Sequence, residues 1–160
     1  MFSSFLRRRL PEISIFHNPS SPPSTQSLAL LRSALSGPYP PNTPGSTQPL
    51  TFSLSVVEAP PTADQLRTIM AYLSSASGSG SSSLAAASTL FSAHPSAPAL
   101  TERPTDAETI VELAQANPNV VRWPIVVDWS GGRASVGDVE GVRRILEALR
   151  KARDSEGKEE

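Results

Sequence analysis

Apolar and polar positions along the chain change period repeatedly, and each change predicts an element. Residues 12–17, Glu-Ile-Ser-Ile-Phe-His, read as a buried strand. Ser24 is then placed to cap a helix to about Ser36, with Leu28, Leu31 and Leu35 on one face and Gly37 as its stop. Phe52, Leu54 and Val56 alternate with Thr51, Ser53 and Ser55, which predicts a second strand over 51–57. Thr62 and Gln65 have the spacing of a capping box, and the helix behind them carries Leu66, Ile69, Met70 and Leu73. Thr105 and Glu108 have the same spacing, ahead of a helix to about Asn117 with Ile110, Leu113 and Ala114 inward. Arg122 to Trp129 form an apolar strand just after a proline, Ser130-Gly131-Gly132 is a hairpin turn, and Arg133 to Val136 return. A last helix runs from Asp138 to about Ala152, with Val139, Val142, Ile145, Leu146 and Leu149 as its apolar face. Residues 153–160 read as a solvated tail.

Between these elements the pattern lapses. Residues 74–104 are mostly Ser, Ala, Gly and Pro, with SSASGSGSSS a flexible linker by composition and LAAASTLF enough for one or two helical turns. This region is expected to contribute little to the core. The element order is β-α-β-α, insertion, α-β-β-α. A helical connection makes the first two strands parallel, and a tight turn makes the last two antiparallel. The expected fold is therefore α/β and thioredoxin-like, a four-stranded mixed sheet flanked by helices. One domain spans 11–152, with flexible insertions at 38–49 and 76–104.

Composition narrows the function. The 160 residues have a formal net charge of −1, so no broad basic surface for nucleic acid is expected. No apolar run approaches the roughly 20 residues of a spanning helix. The chain has no cysteine, which removes disulfides, thiolate metal sites and cysteine catalysis together. His94 lies in the linker without partner ligands, so no metal site is expected. Residues 1–10, MFSSFLRRRL, are Arg-rich and free of acid, as in a short mitochondrial targeting segment, and the matrix is the expected location. A basic terminal tail is the other reading of that stretch.

Ser21-Pro22-Pro23-Ser24 has the spacing of a C-x-x-C redox loop, with serine in both cysteine positions. Ile15-Phe16-His17-Asn18-Pro19 resembles the opening of the bacterial arsenate reductases, thioredoxin-like proteins with the motif H-N-P-x-C; their cysteine falls at Ser21. Glu58 to Leu66 is similar to their N-P-P-S-x-x-E-L, and Trp123 to Val127 to R-P-I-V-V. A closer likeness is to a fungal group described as mitochondrial redox proteins. Its motifs H-x-P-S-S-P-x-S, P-P-T-x-D-Q-L and R-P-x-V-V-D-W-x-x-G-R-A are matched here in that order, the last from its proline onward. The departures are Ser21 for the nucleophilic cysteine and Trp123 for the arginine before proline, with Arg122 one step earlier. The resemblance implies an oxidoreductase scaffold, a cis Trp123–Pro124 bond facing the active-site loop, and glutathione as the ligand that suits the fold.

A serine alcohol cannot exchange with disulfides, but a helix N-terminus with hydroxyls beside it can attract an anion. His17, Asn18, Ser21, Ser24, Trp123 and Pro124 are accordingly the candidate ligand-binding residues, for a small thiol or anion, with no resident cofactor. The function that follows is a redox-type protein without thiol catalysis, or a binding module for glutathione, an anion or a protein. The simpler reading is that Ser24 caps the helix, Pro22 and Pro23 stiffen the turn, and Ser21 is solvated. His17 as a base for Ser21 would need a third group to orient the imidazole, and none is evident. Both Trp residues are expected to pack against helices, and either one is free to line the cleft instead. Asp128 and Arg133 are expected to form a surface pair across the hairpin, worth about 0–1 kcal/mol.

Overall fold

Hydrogen bonding between strands far apart in sequence sets the architecture. A computed structural model describes residues 10–39, 49–76, 87–99 and 102–158. Its elements are β1 (Glu12–Phe16), α1 (Pro22–Ser36), β2 (Ser53–Val57), α2 (Ala63–Ala76), α3 (Ala107–Ala116), β3 (Ile125–Asp128), β4 (Arg133–Val136) and α4 (Val139–Lys158). The sheet order is β2-β1-β3-β4. β1 and β2 are parallel, with Ile15 opposite Val56. β3 runs antiparallel to both neighbours, with Val126 opposite Ile15 and Val127 opposite Ala134. This is the expected thioredoxin-like arrangement, and the peptide bond before Pro124 is cis.

Strand alternation divides the core into two layers. Ile13, Ile15 and Val126 face α1 and α4, meeting Leu28, Leu31, Val142, Ile145 and Leu146. Phe16, Ile125, Val127 and Trp123 face the other way, onto Leu66, Ile69 and Met70 of α2 and Ile110 and Ala114 of α3. Trp129 joins this second layer, its indole 6.4 Å from the Tyr72 ring and its Nε1–H donating to Ser14 Oγ. Thr62 and Gln65 close the predicted capping box: the Thr62 amide donates to Gln65 Oε1 at 2.9 Å, and the Gln65 amide to Thr62 Oγ1 at 3.2 Å.

Several expectations are corrected. α1 begins at Pro22 with Ser21 in the cap position, because proline suits the first helical positions and Ser24 is turned inward. α3 is capped by Asp106, not Thr105; its carboxylate accepts the Thr109 amide at 3.0 Å. β2 is shorter than predicted, and Val56 is exposed because an edge strand lies outside the cover of the helices. Asp128 is no surface residue: it is buried, accepts the Gly131 amide at 2.9 Å, and meets Arg133 at 3.4 Å. α4 runs on to Lys158 in place of a tail from 153, its later turns held by Arg150 between Glu147 and Asp154 and by Arg153 donating to the Tyr39 carbonyl.

The largest correction concerns the insertion. Ala87, Leu90 and Phe91 are fully buried in the second layer. Phe91 bridges Val121, the Arg122 amide donates to the Leu90 carbonyl, and Arg103 bonds Ser88 while lying over the Phe91 ring. Apolar residues spaced across a Ser/Ala run carry too little periodicity to be seen as core. Of the expected targeting segment and the two insertions, residues 1–9, 40–48, 77–86 and 100–101 lie outside the described residues.

Candidate functional site

The turn between β1 and α1 is built by its own side chains. Asn18 Oδ1 accepts the Ser20 amide at 3.0 Å, and the Ser21 amide donates to the Asn18 carbonyl at 3.0 Å. Ser24, one turn into α1, points back into the protein. Its Oγ accepts the Asn18 amide at 2.9 Å and shares a hydrogen bond of 2.7 Å with His17 Nδ1. His17 and Ser24 are both buried, so this pair braces the loop from behind and touches no solvent-borne ligand. Ser21 Oγ caps nothing, which leaves its hydroxyl at the surface of the turn.

A cleft of about 350 Å³ opens beside that turn. Asn18, Ser21 and Pro23 form one wall; His94, Arg122 and Trp123 form the other. Of the residues chosen from the sequence, the structure brings Asn18, Ser21 and Trp123 to the cleft lining. His17, Ser24 and Pro124 are buried off it, and the Pro124 carbonyl accepts the Gly137 amide at 2.7 Å. Gly137 holds φ at 68°, a left-handed conformation that lets the chain turn away from the cleft floor.

The chemistry of the cleft differs from the expected one. A helix N-terminus holds an anion through its unpaired amides. Here the first two helical residues are Pro22 and Pro23, which have no N–H, and the Ser21 amide is already bonded to Asn18. The helix contributes its dipole and little hydrogen bonding. The donors come from the opposite wall: Arg122, which makes no ion pair among the described residues, and His94, whose Nδ1 accepts the Ser96 amide at 3.1 Å and so leaves Nε2 as its N–H. Sequence reasoning passed over both. Arg122 was signalled by its place next to Trp123-Pro124. His94 lies in the linker, and no local signal ties it to position 21.

A family model described as "Protein of unknown function (DUF1687)" matches residues 3–137. The chain belongs to this family. Two solved structures are similar to it. One is called "Putative arsenate reductase from Yersinia pestis"; it is 22% identical, with 84% of this chain and 98% of that chain covered and a TM-score of 0.49. The other is an arsenate reductase from Vibrio cholerae, 16% identical, with 87% and 98% covered and a TM-score of 0.48. No curated protein matches the chain. Among the described residues no helix is long and apolar enough to cross a membrane, and no group of three or more acidic, His or Cys side chains is placed to hold a metal ion.

Proposed function

We propose that this protein is a binding module on a redox-type scaffold, taking a small carboxylate-bearing thiol such as glutathione without reducing it. The observation that carries the reading is the cleft itself: a hydroxyl at the turn where the motif resemblance puts a cysteine, facing an arginine and an indole across about 350 Å³. Arg122 pairs with a carboxylate, Ser21 offers a hydroxyl donor, and Trp123 supplies an apolar wall. The chain's own side chains supply no thiol to exchange electrons.

Trp123 makes the test direct. Glutathione is expected to change tryptophan fluorescence saturably, and Arg122→Ala is expected to weaken binding about tenfold, the usual weight of a charge-assisted hydrogen bond. The same preparation should not reduce insulin disulfides above background. An unchanged fluorescence signal with glutathione sinks the ligand assignment, and turnover in the insulin assay sinks the non-catalytic reading.

The proposed site of action is the mitochondrial matrix, on the Arg-rich, acid-free composition of residues 1–10. A tagged protein lacking residues 2–9 should remain in the cytosol; unaltered import would exclude that segment as the signal.

A further inference from the structure

A second concave region lies apart from the cleft, where α4 passes over β4. It encloses about 710 Å³, within the range of small-molecule sites. Arg133 of β4 and Arg143, Arg144 and Lys151 of α4 line it, against the two carboxylates Glu140 and Glu147. Both carboxylates are engaged: Glu140 with Arg143, and Glu147 with Arg150. Arg144 pairs with no carboxylate among the described residues, and it also lines an adjoining hollow beside the Gly131–Gly132 turn together with Arg133. Tyr39 is set into this groove from the opposite side. It is only 7% exposed, packed among the core residues under α1 and α4, and its hydroxyl makes no hydrogen bond among the described residues. Burial of the ring, with Glu147 adding to it, holds the phenol above its ordinary value, so the hydroxyl stays a donor.

We propose that this groove binds a soluble phosphate ester, its phosphate held by Arg144, Arg133 and the Tyr39 hydroxyl. Several guanidinium forks and a neutral hydroxyl match the oxygens of a phosphate dianion better than the two of a carboxylate. Tyr39, its ring packed in the core and its edge lining the groove, presents a neutral hydroxyl to such an anion. Glu140 and Glu147 oppose any anion; with Arg143 paired to Glu140 and Arg133 to Asp128, Arg144 and Lys151 are the groove cations without an ion pair among the described residues.

The test is calorimetric titration of the full chain with phenyl phosphate at low ionic strength, with phenylacetate as comparator. Phenyl phosphate should bind and phenylacetate should bind about tenfold more weakly. Arg144→Ala should weaken phenyl phosphate about tenfold, and Tyr39→Phe about threefold or more. Arg67→Ala, on α2 across the sheet, should change nothing. Absence of binding, equal binding of the two probes, or equal loss in Arg67→Ala and Arg144→Ala would each overturn the proposal. Binding seen only with phosphatidylserine vesicles would overturn it too, in favour of a lipid surface. The readout is independent of glutathione and of the cleft.

Discussion

Two serines one turn apart on α1 show how much a single hydroxyl depends on its neighbours. Ser24 and Ser27 are both fully buried. Ser24 satisfies the Asn18 amide and the His17 ring, whereas Ser27 Oγ has no hydrogen-bond partner. Ser24→Ala should therefore lose about 1–3 kcal/mol in urea unfolding, since it strands the buried His17 ring nitrogen and the part-buried Asn18 amide. Ser27→Ala should gain about 1 kcal/mol, since it removes an unpaired hydroxyl and adds a better helix former. Equal signs for the two would refute this account of the loop. Ser21 differs from both because it faces outward. A thiol placed there by Ser21→Cys would be the chain's only one and would feel the α1 dipole. Its alkylation should titrate with a midpoint below about 8.5. A midpoint at or above that value would mean that the two prolines leave the helix end too weak to stabilise a thiolate.

Helix ends carry a pH dependence that can be separated from the rest. Hydrogen bonds from the Thr109 hydroxyl and amide hold the Asp106 carboxyl below its ordinary range. The folded state thus binds this proton more weakly than the unfolded chain does. The resulting stability is complete above the ordinary carboxylate pKa and is lost as pH falls through the lower folded value. Asp106→Asn keeps a capping side chain but no longer titrates. It should flatten the acid limb of the stability curve measured by thermal melting, and an unaltered limb would show that the cap carries no linkage. Tyr39 works with the opposite sign. Its raised phenol value makes its share of stability complete below about 10 and lost as pH rises through the higher folded value.

For the whole molecule, the decisive feature is that a Ser/Ala-rich insertion returns to complete the second core layer. Leu90 is fully buried among Phe16, Trp123 and the residues of α2 and α3 in that layer. Leu90→Ala should lower stability by about 2–5 kcal/mol, as a large-to-small change in a packed core does. A loss below about 0.5 kcal/mol would indicate a detachable segment. The same return places His94 and Ser92 on the cleft, so the insertion is at once part of the core and one wall of the candidate site.

Features written within a few consecutive residues were legible in the chain alone. The capping box of Thr62 and Gln65, the hairpin at Gly131 and Gly132, the strand alternation of β3 and the apolar stripe of α4 each follow from local geometry, and their order implied a mixed sheet. The three motif blocks placed Ser21 beside the strand that starts after Pro124. Tertiary structure decided the rest. Burial separates Ser24 from Ser21, although both are serines of one short loop. The edge position exposes Val56 despite its alternation with polar neighbours. The cleft joins residues near positions 18, 94 and 122, and the groove joins Tyr39 to Arg144. Such sites have no sequence period because their members meet only after the sheet has brought distant segments together.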